Sequence, residues 1–198
     1  MMAAMTTAQP RAHVRVVLAH GASGTAASMR PYIEGLCARG VDAHAIDLPK
    51  RRAEDAVPAY RAAIAALPPS PAGTRLVIGG HSYGGRVASL LAADPDTVAG
   101  ALPTLAGLLC FSYPLHRPGA AHLGLRTDHW PRIAVPTLIL EGESDPFARL
   151  DLLRAAMPLL PRGRLVTFAR QGHGLLPVLD AALDAAVAWL RDLAPARD

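Results

Sequence analysis

The sequence has few cysteines and no long apolar run, and each absence excludes a class of protein. Its two cysteines, Cys37 and Cys110, show no metal or redox spacing among 198 residues, which predicts free thiols in a reducing compartment. No apolar run approaches the length of about 18 residues that a membrane-spanning helix needs. Residues 1–10 have neither a charged start nor a long apolar block, which argues against a secretory signal. We therefore expect a cytoplasmic protein with no membrane partner.

Charge is also sparse. Charged residues make up 18% of the chain, below the usual quarter, while hydrophobic residues make up 51%, which supplies a core and argues against disorder. The formal net charge is +4, but the only dense basic run is Lys50–Arg52. A run that short is typical of a solvated loop, so we expect no nucleic-acid partner.

Metal and cofactor motifs are missing as well. His116, His122 and His129 are six and seven residues apart, with no carboxylate or cysteine pattern beside them, so they do not predict a metal site. No Gly-x-Gly-x-x-Gly follows the first predicted strand and no Gly-Lys-Ser/Thr loop occurs, which disfavours a nucleotide. We expect no cofactor.

Six short apolar runs alternate with helical stretches along the chain. This order predicts an α/β fold, a mostly parallel six-stranded sheet with helices on both faces, because parallel strands need crossover connections. One domain over residues 13–193 is expected, with loose ends at 1–12 and 194–198. The predicted strands are 14–19, 41–46, 76–78, 105–111, 137–141 and 164–168, and the predicted helices are 28–39, 54–67, 84–93, 150–160 and 177–193.

Chemistry is expected just after the strands, since loops at the carboxyl ends of a wound parallel sheet form its active site. The third strand is followed by Gly80-His81-Ser82-Tyr83-Gly84, which matches the Gly-x-Ser-x-Gly nucleophile elbow between a strand and a helix. In such an elbow the serine lies at the tip of a sharp turn. Ser82 is therefore the predicted nucleophile.

A serine hydroxyl needs a base, and the base needs an acid that orients it. His173 stands between glycines after the last strand, where the chain order Ser, acid, His requires the base. Asp145 follows the fifth strand and is the predicted acid. Glu141 and Glu143 are its competitors, and Glu141 at the strand end could point into the sheet. His81 lies inside the elbow and is expected to pack away from the reacting centre.

An oxyanion hole needs two N–H donors. The backbone N–H of Tyr83, the residue after the nucleophile, is the first candidate. The second is Ala22 in the loop His20-Gly21-Ala22-Ser23-Gly24 after the first strand, whose small residues allow close approach of the backbone. A plain glycine turn is the alternative for that loop.

Six segments carry a resemblance over about residues 13–190. The most distinctive is Tyr-Pro-Leu-His-Arg-Pro-Gly at 113–119; the others are Leu-Ala-His-Gly-Ala at 18–22, Ile-Asp-Leu-Pro at 46–49, Gly-His-Ser-Tyr-Gly-Gly-Arg at 80–86, Gly-Glu-Ser-Asp-Pro-Phe at 142–147 and Gly-His at 172–173. Through these six segments, the chain resembles the small, cap-less α/β-hydrolases called dienelactone-hydrolase-like predicted hydrolases. That group includes the hydrolase-like domain of a nonspecific-lethal acetyltransferase complex subunit.

The resemblance implies the α/β-hydrolase fold and the same three site positions, but little about substrate. His81 and Tyr83 stand where relatives commonly carry Lys and Met, which is closer to ordinary esterases and lipases. Authentic dienelactone hydrolases use a cysteine nucleophile, so the family name does not define the activity.

The expected reaction is hydrolysis of a small or exposed carboxylic ester or thioester through an acyl-enzyme on Ser82. The 25 residues from Ser112 to Pro136 are too few for a cap domain, so the site should be shallow and open. His20, Tyr113 and His116 are candidate substrate contacts.

Several alternatives stay open at this point. Arg86, Arg117 or the Lys50–Arg52 run could hold a substrate carboxylate, although surface solubility is the preferred explanation for them. The fold could serve as a catalytically silent binding module, or the same triad could act as an acyltransferase or peptidase. The chain could be a monomer or a homodimer.

Overall fold

A parallel six-stranded sheet forms the centre of the computed structural model, which describes residues 13–94 and 105–193. All strand pairs are parallel, in the order β2-β1-β3-β4-β5-β6. The predicted loose ends, 1–12 and 194–198, lie outside the described residues. The strands are β1 (Val14–Ala19), β2 (Asp42–Ile46), β3 (Arg75–His81), β4 (Leu105–Phe111), β5 (Thr137–Gly142) and β6 (Gly163–Phe168).

Helices cover both faces of this sheet, which confirms the predicted fold class. Alternate strand residues face opposite ways, so Val17 packs in one apolar cluster with α2, α3 and α4, while Val16 and Leu18 pack in another with α1 and α5. Both faces of the central strands are covered, which explains their continuous apolar runs. The helices are α1 (Arg30–Ala38), α2 (Ala53–Ala65), α3 (Tyr83–Ala92), α4 (Leu150–Ala156) and α5 (Leu179–Asp192).

Two predicted boundaries were wrong. The third strand was expected to end before Gly79, yet β3 continues to His81. A Cβ on Gly79 would lie 1.8 Å from the carbonyl oxygen of Leu109, so this glycine serves close strand packing and does not end the strand. The helix expected over 150–160 ends at Ala156 and becomes a 3₁₀ turn, where Pro158 cannot donate a backbone hydrogen bond.

The strand order reverses at β1, which has the edge strand β2 on one side and β3 on the other, and all six strands run parallel. The carboxyl ends of β1, β3, β4, β5 and β6 therefore share one edge, where ligands bind in open α/β sheets. Residues 112–136, which we call the lip, connect β4 to β5 with only two short 3₁₀ turns. None of the helices described is both long and apolar enough to cross a membrane. Both cysteines are free thiols.

Candidate active site

Ser82 lies at the tip of a sharp turn between β3 and α3. Its backbone adopts φ 51° and ψ −113°, a left-handed conformation that is costly for a residue with a side chain. The turn packs directly on the end of β1, because a Cβ on Gly80 or on Gly84 would lie 2.2 Å from the carbonyl oxygen of Ala19. The two glycines of the motif therefore let the strand and the helix approach closely enough to expose the serine.

A continuous hydrogen-bond chain joins three side chains from different loops. The Nε2 atom of His173 lies 2.7 Å from the Ser82 hydroxyl oxygen, and its Nδ1 atom lies 2.7 Å from a carboxylate oxygen of Asp145. These residues are 91 and 28 positions apart in the chain, and the sheet topology brings them to one edge. The Nδ1–H donates to Asp145, so Nε2 is left to accept a proton from Ser82.

Asp145 is a buried carboxylate that remains ionised. Its side chain has 0% exposure, and its second oxygen accepts a hydrogen bond of 2.7 Å from the backbone N–H of Phe147. Burial acts to raise the pKa of Asp145, but the hydrogen bonds from His173 and the Phe147 backbone, together with the neighbouring Glu141 carboxyl, outweigh it and lower the pKa below its ordinary value. A negative charge is thus held against His173 at neutral pH.

His173 is also fixed through its backbone and its ring face. The Nε2–H of His81 donates to the carbonyl oxygen of His173 at 3.1 Å, and burial lowers the pKa of His81, which keeps its imidazole neutral. The ring of Phe147 lies 4.2 Å from the imidazole ring of His173, centroid to centroid. His81, which was expected to pack away from the reacting centre, has its ring 5.3 Å from the His173 ring, centroid to centroid. Phe147 had no predicted role.

Glu141 is a second carboxyl group beside Asp145. Its residue has 0% exposure at the end of β5, and neither carboxyl oxygen makes a hydrogen bond of good geometry. Burial, reinforced by the neighbouring Asp145, raises the pKa of Glu141 well above its ordinary value and so favours the protonated form of this carboxyl. A lone charged residue in the apolar run of residues 137–142 was the sequence signal for it.

The two residues predicted to supply oxyanion-hole N–H groups, Tyr83 and Ala22, both line the cleft at Ser82. Tyr83 is the first residue of α3, so its N–H is one of those a helix leaves without an intrahelical partner. The carbonyl of Gly21 accepts hydrogen bonds from the Gly24 backbone at 2.9 Å and from His20 Nδ1 at 2.7 Å. Because a trans peptide directs its C=O and N–H oppositely, the Ala22 N–H is turned away from these partners. Ala22, Ser82 and Tyr83 all line one cleft.

The three predicted substrate contacts lie behind that cleft. His20, Tyr113 and His116 are 1%, 0% and 2% exposed, and none of them lines it. His20 Nε2 accepts the Leu48 N–H at 3.0 Å, which leaves the Nδ1 proton for Gly21. Tyr113 donates to the Arg126 carbonyl, and His116 Nε2 accepts the Arg149 N–H, which joins the lip to the loop after β5. These three residues are therefore buried and hold neighbouring loops in place through hydrogen bonds to backbone groups.

The cleft at Ser82 has a volume of about 760 Å³ and is lined in part by lip residues. Leu123 on the lip is 70% exposed and Phe147 forms the side next to His173. Within residues 13–94 and 105–193, no group of three or more His, Cys, Asp or Glu side chains is arranged to hold a metal ion. The site therefore has the parts for acyl transfer by side chains and backbone N–H groups.

Comparison with known proteins identifies the family. The model of the α/β-hydrolase domain family matches residues 12–189, nearly the whole chain. The protein belongs to this α/β-hydrolase family.

Solved structures agree on the fold. Est1E from Butyrivibrio proteoclasticus is 16% identical with a TM-score of 0.74, and the alignment covers 93% of this chain and 89% of that one. The monoacylglycerol lipase of Paleococcus ferrophilus is 17% identical, with a TM-score of 0.72 and coverage of 91% and 95%. Est2, a thermophilic esterase from the Planctomycetes species Thermogutta terrifontis, is 21% identical, with a TM-score of 0.68 and coverage of 98% and 89%. At these identities the likeness concerns architecture, and hydrolase activity in general follows from the family.

Proposed function

We propose that the protein is a serine hydrolase that cleaves a small or exposed carboxylic ester or thioester. The observation that carries the proposal is the pair of 2.7 Å hydrogen bonds from Asp145 through His173 to Ser82, with the serine at a strained elbow. An isolated serine hydroxyl is a poor nucleophile at neutral pH, and this arrangement supplies the base that activates it.

The reaction has two steps. Ser82 Oγ attacks the ester carbonyl as His173 Nε2 takes its proton, and the tetrahedral oxyanion is held by the N–H groups of Tyr83 and Ala22. His173 then protonates the leaving alcohol or thiol, and an acyl-enzyme on Ser82 results. Water attacks this acyl-enzyme with His173 again as base, and release of the carboxylic acid restores the serine. Asp145 stabilises the imidazolium in both steps.

The length of the lip supports a small or exposed substrate. The 25 residues between β4 and β5 leave no cap domain over Ser82, which suits short or surface-presented esters. Two structural relatives are an esterase and a monoacylglycerol lipase, which favours carboxylic esters over amides. The assignment to the dienelactone-hydrolase-like, cap-less group stays part of this proposal.

Hydrolysis of 4-nitrophenyl esters of graded acyl length tests the proposal. We expect turnover that is highest for short acyl chains, and a loss of at least about 10³-fold in kcat for Ser82→Ala. Ser70→Ala, in the loop before β3 at the opposite end of the sheet, is the matched control and should keep its activity. Absence of turnover with every ester by folded wild-type protein would favour a silent binding module.

A further inference from the structure

Most of the excess positive charge of the chain surrounds the cleft at Ser82. Two carboxylates, Glu54 and Asp128, line the cleft together with five guanidinium groups, a net charge of +3 where the whole sequence carries +4. The sequence made the run at 50–52, Arg86 and Arg117 candidates for holding a substrate carboxylate, but it gave no sign of Arg126 on the lip. The five arginines are Arg51, Arg52, Arg86, Arg117 and Arg126.

Glu54 neutralises only one side of this cluster. Its Oε1 accepts a hydrogen bond of 2.5 Å from Arg86 Nη2, and its Oε2 lies 3.8 Å from Arg52 Nε. In the part of the chain that the structure describes, Arg51, Arg117 and Arg126 have no carboxylate oxygen within 4.0 Å. Three guanidinium groups therefore line the cleft without a counter-ion among residues 13–94 and 105–193.

Arg126 is held in place by the lip and is not a loose surface residue. Its backbone N–H donates to the Leu115 carbonyl at 2.8 Å, and its own carbonyl accepts the Tyr113 hydroxyl at 2.8 Å. Its Nη1 donates to the Pro114 carbonyl at 3.2 Å, and Pro114 lines the same cleft. Burial, with the charges of Arg86 and Arg117, lowers the pKa of Arg126, yet a guanidinium stays protonated in proteins. The positive charge of Arg126 is thus held at a fixed position in the wall of the cleft.

Among the five arginines of the cleft, Arg86 is the nearest to Ser82 in the sequence. It follows Ser82 by one turn of α3, where its backbone N–H donates to the Ser82 carbonyl at 3.0 Å. Four residues of α-helix rise only about 6 Å. Because Ser82 and the five arginines line the same cleft, an anionic group bound by the cluster would share that cleft with an ester carbonyl at Ser82.

We propose that this cleft selects esters that carry an anionic group, a carboxylate or a phosphate, close to the scissile bond. This inference rests on the proposed esterase function and specifies its substrate class. Arginine forks match planar carboxylate and phosphate oxygens with paired hydrogen bonds, and such an anion would replace the missing counter-ion of Arg117 and Arg126. The alternative, that these arginines serve solubility only, predicts no charge selectivity.

Matched substrates measure the selectivity. Mono-4-nitrophenyl succinate, glutarate and adipate carry a carboxylate at increasing distance, and their neutral partners are the corresponding methyl esters. 4-Nitrophenyl phosphonoacetate tests a phosphate-like dianion, and 3-carboxyphenyl butyrate against phenyl butyrate places the charge on the leaving group. We expect kcat/KM for at least one anionic substrate to exceed that of its neutral partner about tenfold or more at low salt, with the advantage falling as NaCl rises.

Variants link the selectivity to the cluster. The double substitution Arg117→Gln, Arg126→Gln should lower the anionic-to-neutral ratio of kcat/KM by about tenfold. Arg162→Gln, an exposed arginine before β6 at the opposite edge of the sheet, should leave the ratio unchanged. Equal turnover of charged and neutral partners, or an unchanged ratio in the double variant, would overturn the inference while leaving the esterase function intact.

A binding measurement separates failure of the inference from failure of the esterase function. Ser82→Ala protein is titrated with monomethyl succinate and with dimethyl succinate, and chemical-shift changes are followed by NMR. We expect saturable binding of the monoanion, weakened by the double arginine substitution, even if no ester is turned over. If monomethyl succinate causes no saturable chemical-shift changes at any concentration tested, the result would contradict an anion-binding cleft.

Discussion

The imidazole of His81 donates from Nε2 to the backbone carbonyl of His173 at 3.1 Å, so the residue before the nucleophile holds the loop that carries the base. This contact couples the end of β3 to the loop after β6, which are not neighbours in the sheet. The position of His173 relative to Ser82 therefore depends on a side chain that does not line the cleft.

Removal of this donor should lower kcat without changing substrate binding. We expect His81→Leu to reduce kcat about tenfold with KM within about twofold, because small displacements of a catalytic group have large effects on rate. His81→Gln retains an N–H donor and should recover most of the loss. Steady-state kinetics with one 4-nitrophenyl ester measure the split, and equal kcat in both variants would show that the contact does not position His173.

The strained backbone of Ser82 should appear as lost stability. Glycine adopts φ 51° freely, so Ser82→Gly is expected to raise the free energy of unfolding by about 1–2 kcal/mol, or the melting temperature by about 2–8 °C. Ser82→Ala loses the same hydroxyl but keeps the strain, and should show no such rise. Calorimetry of the two variants makes the comparison, and identical melting temperatures would mean that the elbow stores no strain.

Glu141 should weaken the fold at neutral pH. Its pKa is raised in the folded protein, so its contribution to stability is full below the unfolded-state value of about 4.3 and is lost as pH rises toward the folded-state pKa. The neutral variant Glu141→Gln has no such dependence. Its melting temperature should match wild type near pH 4 and exceed it by about 2 °C or more at pH 8.

Melting curves from pH 4 to 8 measure this difference. Glu143→Gln, an exposed neighbour two residues along, is the control and should follow wild type throughout. A constant offset between Glu141→Gln and wild type across the range would argue that Glu141 is ionised in the folded state.

His129 should make the fold sensitive to acid. Burial, reinforced by the charges of Arg86 and Arg132, lowers its pKa to about 4. The Ser89 hydroxyl donates to the Arg86 carbonyl, so His129 Nε2–H donates to Ser89 in the neutral form. The unfolded chain binds this proton below about pH 6.5, so stability is lost as pH falls from 6.5 toward 4, by up to about 3 kcal/mol.

His129→Gln keeps a donor for Ser89 but cannot titrate, so denaturant unfolding at pH 7 and pH 4.5 should show a smaller loss than in wild type. His122→Gln, at an exposed position on the same lip, should behave as wild type. Parallel losses in wild type and His129→Gln would contradict a buried, neutral His129.

The parallel sheet and the meeting of Ser82, Asp145 and His173 could be predicted from the sequence. The apolar runs and the glycines that follow them indicate where the strands lie and where they end. The sequence did not reveal which side chains would fill the space behind those ends. His20, Tyr113 and His116 belong to loops, yet burial turned them inward. Glycine at 79 looked like a strand end because the pattern does not show that the backbone of Leu109 approaches it.

The charge of the cleft was visible only in part for a similar reason, since Arg86, Arg117 and the run at 50–52 were candidates and Arg126 was not. Arg86 and Arg126 are 40 residues apart in the sequence, and the lip that brings them to one wall has no regular periodicity. Contacts across an irregular segment depend on the completed packing of its buried residues, such as Tyr113 and Trp130. Local residue patterns therefore predicted the site at Ser82 better than they predicted the arginine cluster that lines the cleft.

Reaction with a fluorophosphonate, read by intact mass and by peptide mapping, tests the central claim most directly. Folded wild-type protein should gain one adduct on the peptide that contains Ser82, Ser82→Ala should gain none, and His173→Gln should react at least about 10²-fold more slowly. A folded wild-type protein that stays unmodified, or that carries its adduct on any other residue, would contradict the account.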